Sequence, residues 1–67
     1  MAATIKHVCK YLLYNTVTYD IIYESGHLFT ATDDSLPKSV AAFIKNASRV
    51  ETRYDKVFRR DETIYMA

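Results

Sequence analysis

Residues 16–24 alternate between apolar and polar side chains, and this alternation constrains the fold more than any other feature of the sequence. In the segment TVTYDIIYE, the apolar positions Val17, Tyr19, Ile21 and Tyr23 are each two residues apart. A period of two is typical of a half-buried β-strand, since successive side chains of a strand point to opposite faces. A strand needs a partner for its backbone hydrogen-bonding groups. The alternation therefore predicts a sheet and requires a second segment to pair with this one.

The preceding segment, residues 5–14, fits two alternatives. Its apolar residues follow the spacing of an amphipathic helix, namely Ile5, Val8, Cys9, Leu12 and Leu13. The same segment can instead form a strand that doubles back onto residues 17–23. The local pattern alone leaves both the helix and the strand open. The choice depends on whether residues 5–14 can pair with the alternating strand.

A three-residue loop, Tyr14-Asn15-Thr16, gives the alternating strand a partner and leads us to favour a hairpin. In this register the pairs are Leu13 with Val17, Tyr11 with Tyr19, Cys9 with Ile21, and His7 with Tyr23. One face becomes apolar and aromatic, with the tyrosines forming a wall of the core. On the other face the opposite charges pair across the strands, Lys10 with Asp20 and Lys6 with Glu24. A two-residue loop scatters apolar and charged residues over both faces.

The rest of the chain predicts a third strand, a helix and a second hairpin. Ser25-Gly26 is typical of a tight turn, and the turn places Tyr23 opposite Leu28 and Ile22 opposite Phe29. Capping residues at 33–35, Pro37 and an apolar series predict a helix over about residues 35–47. The series is Leu36, Val40, Phe43, Ile44 and Ala47. A polar reversal about Arg60-Asp61 predicts the closing hairpin, with Arg59 opposite Glu62, Phe58 opposite Thr63 and Val57 opposite Ile64.

The predicted fold class is therefore α+β, a small antiparallel sheet in the order β-β-β-α-β-β with one helix packed on one face. A chain of 67 residues has room for one core, so we expect a single domain spanning 1-67. Cys9 has no cysteine partner, and no signal-like or membrane-spanning segment is found in the sequence. We therefore expect a cytoplasmic protein with no membrane association.

The sequence argues against an enzyme. One cysteine and two histidines, His7 and His27, supply too few ligands for a structural zinc site. The single glycine leaves no phosphate-cradling loop. The acidic pairs Asp33-Asp34 and Asp61-Glu62 lie where capping and turns already favour such side chains. We expect no catalytic residue, no metal and no cofactor.

The favoured register leaves an apolar patch with a charged rim on the outer face of the sheet, the composition expected of a protein interface. Its residues are Val8, Leu12, Ile22 and Phe29, with Lys6, Lys10, Asp20 and Glu24 around them. A host protein or protein complex, a second copy in a homodimer, or the C-terminal hairpin could cover this patch. We expect a protein-binding module that acts as an inhibitor or regulator by occupying a surface of a host protein. Freestanding chains of this size without catalytic residues are typical of phages and mobile elements, so we expect a viral or related source.

The alternative function is nucleic-acid binding by the C-terminal hairpin. Cations and an aromatic ring gather there, as in many single-strand binding surfaces. The residues are Arg49, Arg53, Lys56, Arg59, Arg60 and Tyr54. Glu51, Asp55, Asp61 and Glu62 lie among them and dilute the positive field that a phosphate backbone needs.

Overall fold

A computed structural model describes residues 4–67 and confirms the α+β class. The strands are β1 (Ile5–Leu13), β2 (Thr16–Tyr23), β3 (Leu28–Thr32), β4 (Arg49–Asp55) and β5 (Arg60–Met66), and the α-helix is α1 (Lys38–Lys45). The strands form one five-stranded sheet in the order β3-β2-β1-β5-β4, and every neighbouring pair is antiparallel. The strand interpretation of the first segment is thus confirmed, and β1 lies at the centre of the sheet.

The register of the β1–β2 hairpin differs from the prediction by one residue. Its loop has two residues, Tyr14 and Asn15, whose φ angles are 48° and 64°. Positive φ at both central positions is what a type I′ turn requires. Leu13 therefore pairs with Thr16, and Tyr11 with Thr18. The predicted three-residue loop was wrong. It assumed positive φ at Asn15 alone, because tyrosine adopts the left-handed region less readily than asparagine, whereas in the structure Tyr14 adopts it as well.

This one-residue shift turns β1 over, because side chains alternate along a strand. Val8 and Lys10 face the helix, whereas Cys9 and Tyr11 lie on the opposite face. The facing of β2 is as predicted, with Tyr19 and Ile21 toward the helix. The predicted charge pairs are wrong, since Lys10 lies opposite Tyr19 and Asp20 opposite Cys9. Lys6 lies at an irregularity of the register between Ile5 and His7, which lets Ile5 and Val8 both pack against the core.

The turn at Gly26 is confirmed, but the strands around it pair one residue away from the prediction. Gly26 has a φ of 91°, and its N–H donates to the carbonyl of Tyr23 at 2.9 Å. Ile22 pairs with Leu28 and Ile21 with Phe29. Phe29 therefore shares the helix-side face with Ile21 instead of lying on the outer face.

The second hairpin is confirmed, and its predicted reversal point is wrong. Asp55 pairs with Arg60 and Arg53 with Glu62, so residues 56–59 form the loop. The carboxylate of Asp55 accepts hydrogen bonds from the backbone N–H groups of Val57 (2.9 Å) and Phe58 (3.2 Å). These hydrogen bonds start the turn at Asp55. The run of charges at 59–62 led to a predicted turn later in the chain.

The helix packs its apolar stripe on the sheet, with Val40, Val8 and Ile21 fully buried at the contact. It is shorter than predicted and begins after Pro37, because Asp33–Ser35 form a separate 3₁₀ turn. The hydroxyl of Tyr19 donates to Asp33 in that turn at 3.3 Å. The packing is on β1 and β5, near one end of the sheet. No helix within residues 4–67 is long and apolar enough to cross a membrane.

Candidate functional site

The helix leaves part of its own side of the sheet uncovered. Its eight residues are about 12 Å long, whereas the nine residues of β1 span about 30 Å. The uncovered part is an open groove of about 570 Å³, which we call the sheet groove. Its lining residues are Lys10, Tyr11, Leu12, Val17, Thr52, Arg53, Tyr54, Asp61, Glu62 and Thr63. The side chains of Tyr11, Arg53 and Glu62 lie on the opposite face of the sheet, and those of the other seven lie on the helix side.

The sheet groove has an apolar floor with charges beside it. Leu12 is 58% exposed and Tyr54 is 57% exposed, and Val17 lies next to Leu12 across the hairpin. Lys10 and Asp61 bring one charge of each sign to the same surface. Large side chains left open beside charges are a feature of protein-binding surfaces.

The outer strand β4 forms one wall of the groove and one edge of the sheet. Six of its seven residues are exposed, and Asp55 is half-buried. Thr52 and Tyr54 point toward the groove, and Arg53 and Glu51 point to the opposite face. An edge strand with this exposure presents unpaired backbone N–H and C=O groups along its outer side.

The face opposite the helix is organised around a buried carboxylate, Glu62, which is 3% exposed. It accepts hydrogen bonds from the Nε–H of Arg53 and the Nε–H of Arg60, each at 2.8 Å. Arg60 also lies 3.5 Å from the centroid of the Tyr11 ring and 4.5 Å from that of Phe58. Arg60 thus covers the ring of Tyr11, which is buried although helix α1 lies on the other face of the sheet.

Burial and the two arginines act in opposite directions on Glu62. Burial raises the pKa of this carboxyl, but the hydrogen bonds from Arg60 and Arg53 outweigh it, and its pKa lies below the ordinary value of 4.5. Glu62 is therefore charged at neutral pH and neutralised by its partners. It has a structural role in holding β4, β5 and the loop between them.

Tyr11 and Cys9 are held in unreactive forms on the same face. Burial, followed by the hydrogen bond to Asp20, raises the pKa of the Tyr11 hydroxyl, which donates to Asp20 at 2.9 Å. Burial raises the pKa of the Cys9 thiol to about 11, with the charge of Glu62 adding to the effect. Since the thiolate is the nucleophile, Cys9 stays a protonated, buried side chain at neutral pH.

Comparison of the chain with family models, with curated proteins and with solved structures finds no match. Over residues 4–67, no three side chains of the metal-ligating types come together.

The predicted patch does not form one surface, because the register shift divides it between the two faces. Val8 is fully buried under the helix, so it is not available to a partner. Leu12 and Lys10 line the sheet groove, and Phe29, 47% exposed, lies on the same face near the other edge. Ile22 and Asp20 lie on the opposite face, where Thr30 and Tyr11 donate to Asp20. Lys6 and Glu24 are exposed at the end of the hairpin away from the groove.

The predicted nucleic-acid residues are also divided. Tyr54 is on the groove side, while Arg53 and Arg60 bond to Glu62 on the opposite face, and Arg49 lies 2.7 Å from Glu51. Lys56 and Arg59 lie in the exposed loop between β4 and β5. The cations and the aromatic ring thus do not face one strand of nucleic acid together.

Several residues that line the groove have no predicted binding role, among them Val17, Thr52, Asp61 and Thr63. A usable signal is the length of the predicted elements. A helix bounded by Pro37 and Asn46 is too short to cover two hairpins of this length. The difference in length between the helix and the strands predicts that part of the sheet is uncovered. Which side chains lie on that part depends on the registers of the strands.

Proposed function

We propose that the chain is a non-enzymatic protein-interaction module, an inhibitor or regulator that acts by occupying a surface of another protein. Its contact surface is the sheet groove with Leu12 at the centre and Tyr54 at the wall. A source in a phage or mobile element is part of the same proposal and rests only on the size and composition of the chain.

The observation that supports this proposal is the exposure of large side chains in a concave, preformed surface. Leu12 and Tyr54 are more than half exposed in a chain whose core is small, although burying them would add stability. A few such side chains at the centre of an interface carry most of its binding free energy. Lys10 and Asp61 beside them supply a polar rim.

The test is affinity purification of the tagged chain from its native cell, in parallel with the Leu12→Glu variant. We expect one or a few proteins to be retained by the native chain and reduced at least tenfold by the variant, because an unpaired carboxylate in an apolar contact is costly. A matched control is Leu28→Glu, since Leu28 is 62% exposed on the opposite face. Equal capture by the native chain and the Leu12→Glu variant would contradict the proposal.

The alternative, nucleic-acid binding, has support from the loop between β4 and β5. Lys56 and Arg59 flank Val57 and Phe58, which are 85% and 65% exposed, and a cation beside an open ring can hold a base. Nuclease treatment in the same purification separates the two proposals. Proteins bound directly are retained after nuclease, whereas proteins bridged by nucleic acid are lost.

A further inference from the structure

The β4 edge has a charge pattern that is complementary to itself when the strand is reversed. Its sequence, RVETRYD, places charged side chains at alternate positions on the face opposite the helix, in the order positive, negative, positive, negative. Thr52 is the central residue. Each charge on one side of Thr52 has an opposite charge at the same distance on the other side.

We propose that β4 pairs antiparallel with β4 of a second copy of the chain, about a two-fold axis that passes through Thr52. In this register Glu51 lies opposite Arg53 of the second copy, and Arg49 lies opposite its Asp55. Symmetry repeats both contacts, so four opposite-charge pairs form on one face. On the helix side, Val50 lies opposite Tyr54 of the second copy, and the two Thr52 side chains meet at the axis.

Neighbouring registers do not have this complementarity. Moving the two-fold axis by one residue shifts the pairing of the two strands by two residues. Such a shift keeps every side chain on its own face, so these are the registers that compete with the axis at Thr52. A shift of the axis to residue 51 sets Glu51 against its own copy and Arg49 against Arg53. A shift to residue 53 sets Arg53 against its own copy and Glu51 against Asp55. Like charges directly opposite one another are unfavourable, so the charges select the axis at Thr52.

Within residues 4–67, no strand pairs with the outer side of β4. Arg49 and Glu51 have side chains that are 69% and 45% exposed. Arg53 is 58% exposed, and it uses its Nε–H for Glu62 while its guanidinium carries four further donors. The helix packs on β1 and β5. The other sheet edge, β3, has the sequence LFTAT, which has no charge to select a register.

A two-fold pairing of this kind extends the sheet across both copies and keeps both helices on one side. The two sheet grooves then lie on the same face, on either side of the axis, with Tyr54 and Val50 between them. The contact is one strand from each copy, which is smaller than the roughly 1,200 Å² of a stable interface. We therefore expect a dimer that forms with rising concentration and weakens with added salt.

The first test exchanges two charges within β4, Arg49→Glu together with Glu51→Arg. This double variant keeps the net charge and the ion pair between positions 49 and 51 inside one chain. It turns all four contacts between copies into like-charge contacts. By sedimentation velocity over a concentration series, we expect the dissociation constant to rise at least tenfold. The matched control is Lys6→Glu together with Glu24→Lys, an exposed charge exchange away from β4, which should dimerise like the native chain.

The second test reads the register through cysteines. Thr52→Cys places two thiols opposite one another at the axis, with Cβ atoms about 5 Å apart, close enough for an oxidant such as copper phenanthroline to join them as a disulfide. Val50→Cys places its thiols four residues apart along the strands, about 13 Å. We expect a covalent dimer from Thr52→Cys only, with the native chain, whose Cys9 is buried, as background. A monomeric native chain at all concentrations, a double variant that still dimerises, or equal cross-linking at position 50 would overturn the proposal.

Discussion

At the scale of single residues, Glu62 joins Arg53 of β4 and Arg60 of β5 on the face opposite the helix. Its two oxygens accept from Arg53 and Arg60, and Arg60 in turn covers Tyr11. Removing one member of a buried ion pair is costly, because the charge of the remaining member is no longer neutralised. This applies to the Glu62 carboxylate and its two arginine partners. The residue thus contributes to stability through its partners more than through its own packing.

We expect Glu62→Gln to lower the free energy of unfolding at pH 7 by about 1.5–3 kcal/mol, the usual contribution of a hydrogen bond to a charged group. The folded pKa of Glu62 is lowered, so its contribution is present above the unfolded pKa and is lost as pH falls through the folded value. The native chain and the variant should therefore converge in stability well below pH 4.5. Urea unfolding followed by circular dichroism from pH 7 to pH 2.5 measures this.

The matched control for that series is Glu51→Gln. Glu51 also pairs with an arginine, Arg49 at 2.7 Å, but both side chains are largely exposed. Exposed pairs contribute about 0–1 kcal/mol, so in dilute solution, where β4 is not paired with a second copy, this variant should have the same stability as the native chain at every pH. A gap between Glu62→Gln and the native chain that is as wide at pH 2.5 as at pH 7 would contradict the assigned role of the carboxylate.

At the scale of elements, the two-residue turn at Tyr14-Asn15 sets the register of the central hairpin. We expect Tyr14→Asn together with Asn15→Gly to raise the free energy of unfolding by about 1 kcal/mol, because these residues adopt positive φ at lower cost. Tyr14 is 93% exposed, so little packing is lost. Thermal and urea unfolding measure the change.

The same turn distinguishes the observed register from the register that the sequence pattern predicts. In a three-residue loop Asn15 alone takes positive φ, and Asn15→Gly without a change at Tyr14 would give the same gain as the double variant. In the structure both residues have positive φ, so Tyr14→Asn should raise the free energy of unfolding further, beyond the gain from Asn15→Gly. A double variant no more stable than Asn15→Gly alone would contradict the type I′ turn.

The elements themselves could be predicted because their patterns are local. Alternation in residues 16–24, Gly26 at a turn and Pro37 before an apolar series each follow from a few neighbouring residues. The registers could not, since each depends on where one loop begins. At Tyr14 the chain adopts a conformation that tyrosine seldom takes, and at Asp55 a side chain captures two backbone N–H groups. The one-residue differences at the Tyr14 and Gly26 turns together place four of the eight predicted patch residues, Val8, Lys10, Leu12 and Phe29, on the helix side of the sheet.

At the scale of the whole molecule, stability is distributed unevenly across the sheet. β1 pairs on both sides, with β2 and β5, and carries Val8 at the centre of the core. In the described part of the chain β4 pairs only with β5, and nearly all its side chains are exposed. Local opening should therefore begin at the outer strands and reach β1 only on global unfolding.

Hydrogen exchange measured by NMR tests this order and the pairing of β4 together. We expect the amides of Val8 and Cys9 to exchange slowest, roughly a hundred- to a thousandfold slower than unprotected amides, as global unfolding of so small a domain allows. In dilute solution, alternate amides of β4 should exchange fast because they point away from β5. At high concentration the same amides should become protected in the native chain and stay fast in the double variant Arg49→Glu with Glu51→Arg. Protection of β4 that does not change with concentration, or fast exchange at Val8, would contradict the strand order on which both the groove and the paired edge depend.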